Sequence, residues 1–131
     1  MVEVLVGRDA EGAAVRFLNT ELVSRSVGGR AVKIVPSPMT FPLVRVSRVG
    51  GDVRDVAYDS PLLLFECWAN DMKAAIDFAS VVRGLVRVWA RLSDDVTAVR
   101  SAGDLVFLPD PDTNKPRYQF AVQVDMKMSA V

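Results

Sequence analysis

Apolar residues recur at every third or fourth position in two long stretches of the chain, a spacing that predicts amphipathic helices. The first stretch predicts a helix at about 9–26, which begins at the N-cap Asp9 and ends before Gly28-Gly29. The second and clearest stretch predicts a helix over about 71–90. The apolar stripe of this second helix comprises Met72, Ala75, Ile76, Ala79, Val82, Leu85, Val86 and Trp89.

The charges at the ends of the second predicted helix fit the helix dipole. Asp71 supplies an N-cap carboxylate, and Arg83, Arg87 and Arg91 place positive charge in the last turns. This basic row is interpreted as a solvated helix end.

Between the helices, β-branched and apolar runs predict strands. Ala31–Val35 predicts a short strand, which the proline-rich stretch 36–42 ends because proline bars helix and central ladder positions. The runs Leu43–Val49 and Asp52–Tyr58 flank Gly50-Gly51, and such a pair permits the positive φ of a hairpin turn. A projecting hairpin that turns at the two glycines is therefore predicted.

The run Leu62–Ala69 is continuously apolar apart from one charge, which predicts a strand covered on both faces. Asp59-Ser60-Pro61 before it predicts a second turn. Residues 2–6 fit either a short strand or an arm.

The C-terminal part predicts an antiparallel pair of strands. After a polar connection, 104–108 forms the first strand, and Pro109–Pro116 is a turn-rich loop. In the last strand Tyr118, Phe120, Val122, Val124, Met126 and Met128 alternate with Gln119, Ala121, Gln123, Asp125 and Lys127. This strand is expected to be half-exposed and to leave an open sheet edge.

The element order predicts an α+β fold in which two helices pack on one face of a mostly antiparallel sheet. The 131 residues fit one domain over 1–131.

Composition narrows the possible chemistry. The chain has no histidine, which removes the commonest general base and metal ligand. Its single cysteine, Cys67, lies in an apolar run and is interpreted as a buried hydrophobe. Sixteen basic residues balance sixteen acidic ones, so a tight nucleic-acid binder is not indicated. Asp110–Asn114 imitates the start of a calcium loop, but Lys115 and Ala121 replace its essential glycine and glutamate. We therefore expect no catalytic residue, cofactor, metal or membrane anchor.

Glu66 is the most informative charge because it interrupts the apolar strand. A buried carboxylate without a partner costs several kcal/mol, so Glu66 either faces an edge or pairs with a base. Arg45, Arg48 and Arg117 lie on neighbouring segments and are the candidate partners. A general acid with a raised pKa is the alternative, although no second catalytic group accompanies it.

An ordered set of segments resembles the tail-terminator (tail-completion) proteins of siphophages, in particular those of actinobacteriophages. The resemblance covers about residues 10–128. It rests on Val15-Arg16-Phe17-Leu18, Val44–Gly51, Asp59-Ser60-Pro61, Leu64-Phe65-Glu66-Cys67-Trp68-Ala69, the helix over 71–90, Leu108–Asp112 and Pro116-Arg117-Tyr118-Gln119-Phe120.

This resemblance implies a structural virion protein, assembled in the host cytoplasm, that forms a hexameric ring at the head-proximal end of the tail. Such a ring binds the tail tube protein, stops tube polymerisation and meets the head–tail connector, while DNA passes through the lumen without specific binding. The predicted ring-interface residues are Arg45, Arg48, Gly50, Gly51, Glu66 and Arg117.

Two other functions remain open from the sequence. A head-completion (stopper) or other neck ring protein belongs to the same structural class. A small-molecule-binding regulatory α+β domain belongs to a different class and predicts a monomer or dimer with a ligand-sized pocket.

Overall fold

Three helices and eight strands are present in a computed structural model that describes residues 2–55 and 57–131, apart from the side chain of Ser101. The helices are α1 (Ala10–Ser24), α2 (Met72–Arg87) and α3 (Trp89–Leu92). The strands are β1 (Leu5–Val6), β2 (Arg30–Val32), β3 (Leu43–Val53), β4 (Tyr58–Trp68), β5 (Ala98–Ala102), β6 (Val106–Phe107), β7 (Arg117–Lys127) and β8 (Ser129–Ala130). None of these helices is long and apolar enough to cross a membrane.

The main sheet has the strand order β2-β3-β4-β7-β5, and β6 pairs with β7 beside β5. Every pair is antiparallel except β2 with β3, which is parallel. The short strands β1 and β8 form a separate antiparallel ribbon. The predicted α+β class with a mostly antiparallel sheet is confirmed.

Both long helices begin as the sequence predicts. The carboxylate of Asp9 accepts the Gly12 N–H at 3.0 Å, and that of Asp71 accepts the Ala74 N–H at 2.8 Å. Each bond satisfies a backbone donor that has no partner inside the helix.

The second predicted helix is interrupted at Val88, whose N–H bonds to the Leu85 carbonyl, so α2 ends at Arg87 and α3 adds one turn. Directly after the break, Trp89 is fully buried and stacks on Phe17 of α1, with ring centroids 5.4 Å apart. This long-range contact within the core is invisible to helical periodicity.

The core lies between α1, α2 and one face of the sheet. The predicted alternation of β7 is confirmed, because Phe120, Val122, Val124 and Met126 all point into this core. Phe120 stacks on Phe65 of β4 with centroids 4.9 Å apart. Each large side chain fully buried here contributes about 1.5–3 kcal/mol.

The hairpin prediction is correct in its existence and wrong in its turn. Gly50 and Gly51 lie inside β3, opposite Leu62 and Pro61, and the reversal falls between the end of β3 and the start of β4. A β-bulge between Arg48 and Gly50 shifts the register by one residue. The glycine pair therefore lies in a bulged strand and forms no turn. Residues 59–61, which were predicted to form a second turn, are part of β4.

The predicted open edge at the last strand is also wrong. β7 is central, with β4 on one side and β5 and β6 on the other. The strand β5, which the sequence did not reveal, provides much of that cover; its pairing shifts register between Val99 and Ser101, and this irregularity obscures any alternation. In the described part of the chain, β2 pairs with β3 only along Leu43–Arg45, so the outer side of β3 has no strand partner beyond Arg45.

Candidate functional site

The sheet face opposite the helices is polar at its centre. In the register of the sheet, Arg45 of β3 lies opposite Glu66 of β4, which lies opposite Gln119 of β7. Residues adjacent along these strands, such as Phe65 and Phe120, point to the other face and into the core. Successive strand residues alternate between faces, so these three side chains share the helix-free face.

Glu66 is 4% exposed and binds two arginines, an arrangement that we call the Glu66 cluster. Arg45 donates from Nε and Nη2 to Oε1 at 2.9 and 2.5 Å. Arg117 donates from Nη1 to Oε2 at 3.1 Å, and its Nε binds the Leu108 carbonyl at 2.9 Å. The predicted ion pairing of Glu66 is confirmed for Arg45 and Arg117 and is wrong for Arg48.

Trp68 and Asp110 adjoin this cluster. The indole Nε1 of Trp68 donates to Asp110 Oδ2 at 3.0 Å, and the Arg117 guanidinium lies 5.8 Å from the Trp68 ring centroid. Burial alone raises the pKa of Asp110, but hydrogen bonds from the Asp112 N–H, Trp68 and Thr113, with the charge of Arg117, outweigh burial and hold that pKa below its ordinary value.

The calcium-like segment is a turn, as predicted. The carboxylate of Asp110 accepts the Asp112 N–H and the Thr113 hydroxyl, both at 3.0 Å. Over residues 2–55 and 57–131, no group of three or more acidic or cysteine side chains is arranged to hold a metal ion.

A shallow cleft of about 250 Å³ opens above the Glu66 cluster. Arg45 and Arg117 are bound to Glu66, and Asp110 is bound to Trp68 and Thr113, so the cleft is a polar surface depression. The lining residues are Val35, Met39, Arg45, Glu66, Trp68, Asp110, Asp112, Thr113 and Arg117.

Another buried carboxylate, which the sequence analysis missed, lies further along the same face. Asp125 is 1% exposed and accepts the Ser60 hydroxyl at 2.5 Å, Arg54 Nη1 at 2.7 Å and Arg100 Nη1 at 2.9 Å. The strict alternation of β7 places Asp125 on its polar side, which was expected to be exposed. Its burial depends on partners from three distant segments.

Asp59 is also buried and lies on the helix-bearing side, since it is opposite the core residue Met126 in the strand register. Arg48 binds it in a bidentate fork, with Nη1–Oδ2 and Nη2–Oδ1 distances of 2.7 and 2.9 Å, and this hydrogen bonding raises the pKa of Arg48. The Nε of Arg48 also donates to the Gly50 carbonyl at 3.2 Å, so this pair braces the bulge.

The six predicted interface residues thus separate into two groups. Arg45, Glu66 and Arg117 meet in one cluster on the helix-free face. The others, Arg48, Gly50 and Gly51, lie at the bulge of β3, and Arg48 is engaged with Asp59.

Cys67 is fully buried in the core, which confirms its interpretation as a buried hydrophobe. Burial, with a smaller effect from the charge of Glu66, raises the pKa of its thiol, and a neutral thiol is a poor nucleophile.

The sequence matches no model of a known protein family and no curated protein.

Proposed function

We propose that this protein is a tail terminator, a structural subunit of a hexameric ring that caps the tail tube of a siphophage. In this role it stops tube polymerisation and joins the tail to the head–tail connector, and DNA passes through the lumen. The ring acts through complementary surfaces, and no catalytic step is assigned to it.

The observation that carries the proposal is a set of arginines clamped by buried carboxylates. Five arginine side chains bind three carboxylates that are each at most 5% exposed, and yet the five remain 19–48% exposed themselves. The five are Arg45, Arg48, Arg54, Arg100 and Arg117.

Such clamping suits a surface that must bind the same neighbour many times. A free arginine loses rotamer entropy when a partner immobilises it, whereas a clamped arginine has already lost most of it. The planar guanidinium also keeps donors available for carboxylates and backbone carbonyls of a partner. Pre-organised donors of this kind favour geometric specificity in assembly.

The local charge agrees with an assembly surface on the helix-free face. The Asp125 group has one acid against Arg54 and Arg100 and so a net charge of +1. The Glu66 cluster also has one acid against two arginines, and Asp110 and Asp112 line the cleft beside it. The whole chain is neutral, with sixteen charges of each sign, which keeps self-repulsion between copies weak.

Deletion of the gene from a phage that encodes this chain tests the proposal. We expect overlong tail tubes in electron micrographs of the lysate, because polymerisation loses its stop, and wild-type length on complementation in trans. Tails of normal length that are detached from heads would instead identify a stopper or other neck ring protein. Overlong tubes that persist on complementation with Glu66→Gln would link the clamped surface to capping.

A further inference from the structure

A basic cleft lies on the helical side of the subunit. The cleft has a volume of about 360 Å³ and is formed by Gly84, Arg87, Val88 and Arg91, at the break between α2 and α3; we call it the arginine cleft. Arg87 and Arg91 are exposed, and in the described part of the chain neither forms an ion pair with an acid. This contrasts with the five clamped arginines.

Gly84 leaves the arginine cleft open to the backbone of a partner. A Cβ built on Gly84 meets no atom within 4 Å, so the glycine is not required by packing inside the subunit. Val88 gives the cleft an apolar part, because it lies between the two arginines in the lining and is partly exposed. The arginine cleft therefore combines two unpaired cations with apolar contact area.

The complementary surface occurs at the end of the β3–β4 hairpin, over residues 49–55, which we call the hairpin tip. Asp52 and Asp55 are exposed and, among the described residues, are in no ion pair. Their carboxylates accept only local backbone N–H groups, from Val53 in the first case and from Ala57 and Tyr58 in the second. Val53, between the two acids, is 52% exposed.

Contacts within the hairpin and with β7 constrain the hairpin tip. Asp55 caps the reversal at 2.8 and 3.1 Å, and Arg54 binds Asp125 of β7 at 2.7 Å. A tip constrained by such contacts loses less entropy on binding than a loop without them, which favours its use as a docking element.

The hairpin tip and the arginine cleft lie on different elements of the subunit. β4 and β7 separate β3 from β5, which places β3 and β5 about 14 Å apart at ordinary strand spacing, and α3 packs against β5. A contact between two different patches on adjacent copies is head-to-tail, and such contacts form a ring when the rotation between copies closes.

We propose that the hairpin tip of one copy docks in the arginine cleft of the next copy, with Asp52 and Asp55 facing Arg87 and Arg91. This inference rests on the proposed ring and names one of its subunit contacts. The chain's neutral balance favours a second copy over nucleic acid as the occupant, since the acids of the tip match the cations of the cleft.

Cysteine cross-linking of the full chain tests this contact. Asp52→Cys protein and Arg87→Cys protein are mixed and treated with a short bismaleimide; Cys67 stays in place because it is buried. We expect a covalent dimer in the mixture and not in either variant alone. Asp104→Cys replaces Asp52→Cys in the control, since Asp104 is also exposed and also binds only the N–H of its neighbour, at the same 2.8 Å.

Charge reversal supplies the energetic test by sedimentation of the untreated protein. Asp52→Lys or Arg87→Glu should each weaken association about tenfold, and the two together should restore it, because like charges in contact repel. Arg30→Glu, at another exposed arginine, should leave association unchanged.

The outcomes separate this contact from the proposed function. Rings or tail capping that are insensitive to these reversals, with no cross-link, would overturn the contact and leave the tail terminator proposal standing. A cross-link in a protein whose deletion leaves tails of normal length would support the contact and remove the terminator role. Oligonucleotide binding that Arg87→Glu abolishes, without a cross-link, would overturn the contact in favour of a nucleic-acid site.

Discussion

Arg54 and Asp125, which lie 71 positions apart in the sequence, form a 2.7 Å ion pair that ties the end of the β3–β4 hairpin to the central strand β7. Arg100 of β5 binds the same carboxylate oxygen at 2.9 Å. One buried acid thus joins three strands and fixes the exposed hairpin tip relative to the sheet.

Asp125→Asn should lower the free energy of unfolding by about 1–3 kcal/mol at pH 7, because the charged hydrogen bonds to two arginines are lost. Burial opposes ionisation of Asp125, but the Ser60 and Arg100 hydrogen bonds and the charges of Arg100 and Arg54 hold its pKa below the ordinary 3.8. Urea unfolding measures the difference.

The pH dependence of that difference has a definite sign. A carboxyl group whose pKa is lower in the folded state stabilises the protein fully above about pH 5 and loses this effect as the pH falls through 3.8 towards the folded pKa. The gap between wild type and Asp125→Asn should therefore shrink below pH 4. A gap that stays constant from pH 7 to pH 3 would contradict the ionised assignment.

Substitutions of the two arginines of the Glu66 cluster should have strongly non-additive effects on the free energy of unfolding. Arg45→Met or Arg117→Met alone should cost about 1 kcal/mol, because Glu66 keeps one partner. The double variant should cost about 3–5 kcal/mol, because it leaves an unpaired buried carboxylate. Adding Glu66→Gln to the double variant should recover part of this loss, and strict additivity of the two single costs would refute the shared clamp.

Substitution by alanine should have opposite effects on stability at two of the glycines. Gly51 has φ +93°, and a Cβ there would lie 2.6 Å from Leu62 N and 2.7 Å from the Pro61 Cα, so Gly51→Ala should cost about 3 kcal/mol or more. Gly84 is exposed inside α2 with open space around it, so Gly84→Ala should gain about 0.5–1 kcal/mol. Thermal unfolding of both variants checks the pair.

Cys67 should resist thiol reagents in the folded protein at pH 8, because it is fully buried and its raised pKa keeps the thiol protonated. Labelling, which mass spectrometry measures, should become rapid in denaturing urea. Comparable rates with and without denaturant would show that β4 opens readily at this position.

The sequence by itself determined the elements whose signal is local. The caps at Asp9 and Asp71, the amphipathic stripe of α2 and the alternation of β7 all depend on residues within a few positions of one another. The lone charge in an apolar strand also predicted that Glu66 has a basic partner, since an unpaired buried carboxylate there would cost too much free energy. The ring-interface role of the predicted residues stays a prediction.

Only the tertiary structure decided which partners meet and which strands are interior. The sequence offered Arg48 as an equal candidate for the ion-pair partner of Glu66. In the structure Arg48 pairs instead with Asp59, beside the bulge between Arg48 and Gly50. The alternation of β7 predicts that Asp125 is exposed. In the structure it is buried, because Arg54, Ser60 and Arg100 from other segments bind its carboxylate. Sequence periodicity reports which face a residue occupies, whereas strand order and register, set by packing across the whole sheet, decide what covers that face.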